Sequence, residues 1–344
     1  MKRPVLGLTI GDPAGIGPEI CIKALSRKEV VDACRPVLYG DEGVLRRAMA
    51  VVAARPPLRR IFDPADFRDG AINVVSLDNM AQSWEYGKVQ ASCGRAAFEY
   101  IVRAVEDAKA KKIAGVVTGP INKESMNTAG IRYAGMTEIF AELTGTKEYS
   151  MMLTGGPLKV IHVSTHVSMR EAMERVRKER VLRVIRLADA ALRDLGQERR
   201  RIAVAGLNPH SSENGLFGAE EEKEVIPAVK AAKREGLNVT GPVPPDTVFM
   251  KAATGLFDIV VAMYHDQGHI PLKLLDFMGG VNVTVGIPII RTSVDHGTAF
   301  DIAGKGIADE TSMVKAVELG VQFAVNRGNS RHARGGRHDD TKTG

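Results

Sequence analysis

Short apolar, β-branched runs alternate along this chain with longer stretches in which apolar residues recur every three or four positions. The runs predict strands over 5–10, 36–39, 72–75, 113–118, 158–163, 202–205, 259–263 and 281–285, because a strand buried on both faces reads as a continuous apolar run. The longer stretches predict helices over 18–26, 94–111, 137–143, 180–195, 219–234 and 311–323. The clearest is 180–195, where Val181, Val184, Ile185, Ala188, Ala191, Leu192 and Leu195 fall on one stripe. Strands alternating with helices imply an α/β protein, with a largely parallel sheet covered by helices and arranged in two lobes. A length of 344 residues suits two domains or one large α/β unit.

Parallel sheets gather their active sites at the carboxyl ends of the strands. Two of the strand-end loops are Gly11-Asp12-Pro13-Ala14-Gly15-Ile16-Gly17-Pro18-Glu19 and Thr118-Gly119-Pro120-Ile121-Asn122-Lys123. Three others soon reach histidine: Ser164-Thr165-His166, Gly206-Leu207-Asn208-Pro209-His210 and Tyr264-His265-Asp266-Gln267-Gly268. One such histidine is usually structural. Three at matching topological positions point to a shared divalent cation, since neutral imidazoles ligate zinc and leave a fourth position open for substrate. Carboxylates such as Asp246 add hard-ligand character, so zinc, magnesium and cobalt all stay in view.

Lys273, Asn282 and Arg291 each lie near the end of an apolar run, and together they suit a phosphate or carboxylate cradle. The segment 295–309 is too glycine-rich for a buried helix and reads as an ordered loop that a ligand can approach closely. It is no P-loop, because Gly306 follows Lys305 where Ser or Thr is needed. Nor is the first loop a Rossmann fingerprint, since Ile20 stands where its third glycine belongs.

Composition narrows the classes. The chain is 44% hydrophobic and 26% charged, which excludes disordered and fibrous proteins. The longest uncharged apolar run, 277–290, is too short for a bilayer, and the N-terminal apolar run ends early at Gly11-Asp12-Pro13. Cys21, Cys34 and Cys93 show no paired spacing, so neither a disulfide framework nor a cysteine zinc site is expected. A cytoplasmic protein is the expectation. Half of the net charge of +6 lies in the Gly/Arg/His-rich segment 327–344, expected to be a disordered tail. The remaining charge suits an anionic small molecule, with no nucleic-acid or membrane partner.

The strand-end motifs, with Arg291-Thr292-Ser293-Val294-Asp295-His296-Gly297-Thr298-Ala299, resemble the 4-hydroxythreonine-4-phosphate dehydrogenase (PdxA) family of vitamin B6 synthesis. The likeness runs from about residue 4 to 326. Two of the segments also resemble isopropylmalate and isocitrate dehydrogenases. The resemblance implies two α/β/α lobes around a cleft and a homodimer whose active sites use both subunits. It implies a cofactor lobe at 1–135 and 285–326, and a metal, substrate and dimer lobe at 136–284.

By residue, the resemblance makes His166, His210 and His265 the metal ligands. Thr137, Lys273, Asn282 and Arg291 become substrate contacts, and Gly15, Gly17, His296, Gly297, Thr298, Ala299 and Asp309 become NAD contacts. Asp246 and Lys273 are the candidates for taking the hydroxyl proton. The expected reaction is oxidation and decarboxylation of 4-phosphohydroxy-L-threonine to 3-amino-2-oxopropyl phosphate. One residue departs from the family: Met136 stands where it usually has histidine. Two segments, 161–167 and 268–273, look closer to relatives acting on D-threonate or D-erythronate 4-phosphate. A terephthalate cis-dihydrodiol dehydrogenase is a further alternative, and a zinc hydrolase or aldolase the alternative from another class.

Overall fold

Strands and helices alternate as the apolar pattern implies, in a computed structural model that describes residues 3–80 and 83–335. The strands are β1 Val5–Thr9, β2 Arg35–Gly40, β3 Leu58–Ile61, β4 Ile72–Ser76, β5 Gly115–Thr118 and β6 Ser150–Gly155. They continue with β7 Leu158–His162, β8 Ile202–Ala205, β9 Val239–Val243, β10 Ile259–Ala262, β11 Val281–Val285 and β12 Ile290–Val294. All belong to one sheet, in the order β3-β4-β2-β1-β5-β12-β11-β6-β7-β10-β8-β9. Both ends of the sheet are parallel, as expected. Its middle is not: β12–β11, β11–β6 and β6–β7 pair antiparallel. Gly156-Pro157 alone joins β6 to β7, and a two-residue connection can serve only antiparallel neighbours.

Helices cover the sheet because each has one apolar stripe. The helix Lys178–Asp194 buries Val181, Val184, Ile185, Ala188, Ala191 and Leu192, the stripe read from sequence. Strand residues such as Leu6, Leu8, Val116 and Val117 are fully buried. Cys21, Cys34 and Cys93 are buried free thiols. Among the described residues no helix is long and apolar enough to cross a membrane.

Three local expectations are corrected. Residues that follow β10, read as a loop, form the helix His265–Leu275 with Pro271 inside it. Gly268 lets that helix lie close on the sheet: a Cβ there would stand 2.4 Å from His162 Nε2 and 2.6 Å from Val160 Cγ1. The single helix expected over 219–234 begins instead as a π-turn, Glu221–Val225, before the α-helix Ile226–Arg234. The final helix, Thr311–Gly335, runs through the first part of the segment expected to be disordered. Arg327 fastens it by donating to Asp194 at 2.8 Å. The rest of that segment, 336–344, lies outside the described residues.

Candidate active site

Strand alternation builds the floor of the main cleft, which encloses about 750 Å³. Asn282 and Thr284 are two apart on β11, so they face the same way. Their neighbour β12 brings Arg291 over them. Arg291 is only 2% exposed. Its Nη1 donates to Asn282 Oδ1 (2.9 Å) and Thr284 Oγ1 (3.2 Å), and its Nη2 to Thr118 Oγ1 (2.9 Å) and Met136 Sδ (3.6 Å). Every partner is neutral, and Nε has none. Burial pulls the guanidinium pKa down to about 9, which still leaves it charged at neutral pH. A buried cation with no carboxylate at ion-pair distance is a strong anion receptor, because an incoming anion supplies the missing countercharge.

Adjacent parallel strands bring two histidines to the rim. His166 follows β7 and His265 follows β10, and the ring centroids stand 5.7 Å apart. Two imidazoles sharing one ion at about 2.1 Å would hold their centroids roughly 5 Å apart, so this pair fits a common cation. Asp266 Oδ1 accepts from His265 Nδ1 at 2.6 Å, leaving Nε2 as the free ligand atom. Burial lowers the His166 pKa, favouring the neutral, ligating form. His269 stacks on His265 at 3.6 Å and donates through Nδ1 to the His265 carbonyl. Behind them His162 is fully buried and its pKa falls to about 3.

The third expected ligand is elsewhere. His210 lies exposed in the turn Pro209–Glu213, where His210, Ser211 and Ser212 all have positive φ. That turn packs against the helix Pro245–Ala253, whose first turn holds the exposed Asp246. Both residues are therefore outside this chain's own cleft. Among the described residues no three His, Cys, Asp or Glu side chains converge to hold an ion.

Thr137, Lys273 and Asn282 line the same cleft as Arg291. Sequence reasoning missed His269 and Asp295. Asp295 lies 3.5 Å from Lys273 Nζ, and its pKa is raised because burial outweighs that lysine. His265, His269 and Lys273 recur every four residues, a signal that becomes legible only once their segment is recognised as a helix.

Beside the cleft the first loop and the late loop are tied together. Ile16 N–H donates to the Thr298 carbonyl at 3.0 Å, and a Cβ on Gly15 would stand 2.8 Å from Thr298 Cβ. Gly17 passes still closer to the Ile10 carbonyl, at 2.0 Å for a Cβ. Buried Glu19 accepts from Gly304 N (2.6 Å) and Gly306 N (3.0 Å), while Lys23 donates to the Gly306 and Ala308 carbonyls. His296 and Gly297 reach the cleft wall, and Ala299 turns the chain with φ 41°. Asp309 is exposed, and its Oδ1 accepts from Thr311 N at the start of the last helix.

Asp12, in the first loop, is fully buried. Its Oδ1 accepts from Ala14 N at 2.8 Å and its Oδ2 has no partner. Burial, opposed by the Ala14 and Ser125 bonds, pushes its pKa up to about 6. The folded state thus binds the proton more tightly than the unfolded chain. Stability on this account is full below about pH 4 and falls as pH rises through 6. Asp12→Asn should flatten that fall and stabilise the protein at pH 8 by up to about 3 kcal/mol. Denaturant melts from pH 4 to 8 check this; a variant less stable at pH 8 contradicts it.

The sheet, the cleft with its buried cation and paired histidines, and the braced loop beside it suit an α/β enzyme, and the relatives that this chain matches over nearly its whole length are dehydrogenases. The chain belongs to the PdxA family: the family described as "Pyridoxal phosphate biosynthetic protein PdxA" matches residues 32–320. It is 49% identical over 330 residues to a putative D-threonate 4-phosphate dehydrogenase of Oceanobacillus iheyensis, covering 95% of this chain and 99% of that one. It is 48% identical to the D-threonate 4-phosphate dehydrogenase of Cupriavidus necator, covering 94% and 98%. A crystal structure of 4-hydroxythreonine-4-phosphate dehydrogenase from Klebsiella pneumoniae superposes with a TM-score of 0.85 at 49% identity, covering 94% and 100%. The likeness to dehydrogenases spans nearly the whole chain, and the hydrolase or aldolase alternative falls away.

Proposed function

We propose that this enzyme oxidises and decarboxylates a 4-phosphorylated four-carbon acid with NAD and a divalent cation, and that D-threonate 4-phosphate is its foremost substrate. The observation that carries the reading is Arg291, a buried guanidinium with only neutral partners at the floor of a cleft rimmed by His166 and His265. The choice of acid follows the names of the curated relatives. The alternative, 4-phosphohydroxy-L-threonine, follows the names of the similar crystal structures.

In this reading Arg291 and Asn282 grip the phosphate, and the rigid cleft floor fixes the acid's reacting carbon. Thr137 contributes a hydroxyl at the wall. When bound, NAD accepts the hydride and the divalent ion supplies Lewis acidity to the substrate oxygens. His166 and His265 hold that ion. The late loop, with Gly15, Gly17, His296, Gly297, Thr298 and Ala299, receives the dinucleotide. Asp309, exposed at the end of that loop, would accept from the ribose hydroxyls, and its negative charge disfavours the 2′-phosphate of NADP. Of the two candidates for taking the hydroxyl proton, Lys273 lines this chain's cleft and Asp246 does not. The acid left after hydride loss is a β-keto acid, which then releases CO₂.

The active unit in this reading is a homodimer in the cytoplasm, with the cofactor lobe at 1–135 and 285–326 and the dimer lobe at 136–284. Leu274 (83% exposed) and Phe277 (73%) stand bare at the cleft mouth beside Ile270, an apolar rim that suits a second copy. The partner subunit's His210 would complete the ion's ligand set.

The test is a panel of D-threonate, D-erythronate and hydroxythreonine 4-phosphates with NAD. NADH and CO₂ should appear in equal amounts with the best acid. NADH without CO₂ would mean a simple alcohol or dihydrodiol dehydrogenase, and no NADH from any of the acids would overturn the substrate class.

A further inference from the structure

Glu138 has no role in the site as described above, yet its surroundings single it out. It lies in the first turn of the helix Met136–Leu143. Its Oε2 is buried and has no hydrogen-bond partner. No ion pair involves it among the described residues, although Arg175, Arg180 and Lys147 line the same side cavity of about 400 Å³. An acceptor-only oxygen shut away from water in this manner is costly unless a donor comes to it.

The donor is next to it. A Cβ on Gly135 would stand 3.0 Å from Glu138 Oε2, 3.4 Å from His166 Cε1 and 3.6 Å from His166 Nδ1. The carboxylate and the imidazole thus flank one empty point, which glycine keeps open. Gly135 has φ −174°, ordinary extended backbone, so nothing about its conformation calls for glycine. The space does. An imidazole that ligates a cation through one nitrogen carries a proton on the other, and that N–H needs an acceptor. Asp266 fills this role for His265. Among the described residues no carboxylate or carbonyl accepts from His166.

We propose that Glu138 is a positioning residue that accepts the free imidazole N–H of His166 and so orients that ring to ligate a divalent cation. This rests on the reading of His166 and His265 as ligands. It adds that the two histidines are held alike, one by Asp266 and the other by Glu138, and that Gly135 is glycine to let the second pair meet.

Cobalt(II) titration of the full-length protein, followed by visible absorbance, tests this without turnover. Glu138→Gln keeps the size of the side chain but can present an amide in place of the acceptor. It should raise the Co²⁺ dissociation constant about 10- to 100-fold. The melting temperature of the metal-free protein should not fall, because a buried unpaired charge has been removed. Gly135→Ala, whose methyl group intrudes between carboxylate and ring, should weaken Co²⁺ binding in the same direction. Equal Co²⁺ affinity in wild type and both variants overturns the proposal while leaving the metal reading intact. Weaker binding accompanied by a lower metal-free melting temperature in both variants also overturns it, by showing a structural role. A wild type that binds no Co²⁺ overturns the metal reading itself, and this inference with it.

Discussion

Arg291→Met abolishes nearly all turnover at ordinary acid concentrations while the protein melts at the same temperature or higher. The two halves of this expectation have one cause. Arg291 is a desolvated charge held by Asn282, Thr284 and Thr118, none of which repays the loss of water with an opposite charge. Methionine fills similar space without that penalty, and its neighbours' oxygens remain free to turn toward the cleft. An anionic substrate loses its countercharge. Truncating one member of a buried charge pair costs about 2–5 kcal/mol, or roughly 30- to 5,000-fold in kcat/KM. Most of the loss should fall on KM, with a smaller part on kcat where the grip also orients the reacting carbon. Arg291→Lys should behave similarly, because one ammonium cannot reach the same three oxygens at once. Steady-state kinetics over a range of acid concentrations, beside a thermal melt, decide the matter. A large fall in melting temperature with an unchanged KM would make Arg291 a structural residue.

His166→Ala and His210→Ala chains should each be inactive alone, and should regain about a quarter of wild-type activity when unfolded together and reassembled in equal amounts. The figure follows from random pairing in a two-fold dimer with shared sites. Half of the dimers are mixed, and each mixed dimer has one intact site and one doubly broken site. In a single chain His210 lies outside the cleft that His166 and His265 line, and Leu274 and Phe277 stand bare around that cleft. Metal analysis should show the same recovery. No recovery from folded, dimeric mixtures would remove His210 from the site.

Strands are easy to read where burial on both faces makes them uniformly apolar, as in β8 and β10, and β-branched residues still mark β11 although Asn282 and Thr284 interrupt it. β12 was missed because its second residue is Arg291, and a charge inside a central strand contradicts the burial rule that reveals such strands. β9 carries Gly241 and Pro242, both poor strand residues, and it sits at the sheet edge where proline is tolerated. The helix His265–Leu275 was hidden by Gly268 and Pro271, which argue locally against a helix that packing against β7 imposes.

The site was legible to the same extent. His166, His265, Lys273, Asn282 and Arg291 were marked by residue type at strand ends, and they do meet in one cleft. His269 and Asp295 were not, because a stripe of four-residue spacing carries no meaning in a supposed loop. His210 and Asp246 do not line this cleft, because the turn Pro209–Glu213 and the helix Pro245–Ala253 that carry them pack on each other instead.

Asn282 and Arg291 lie on the seventh and sixth of twelve strands, each hydrogen-bonded on both sides. Mechanically, this is the neutral axis of the molecule. Bending or twisting the sheet moves its edges most and its middle least, so the halves can rock while the anchor stays at rest. The histidines and the glycine-rich loop hang from strand ends and follow their own half. With Arg291 read as the anion anchor, a bound anion would sit at a pivot, and adjustments of the surrounding walls would change what faces the substrate without loosening its hold.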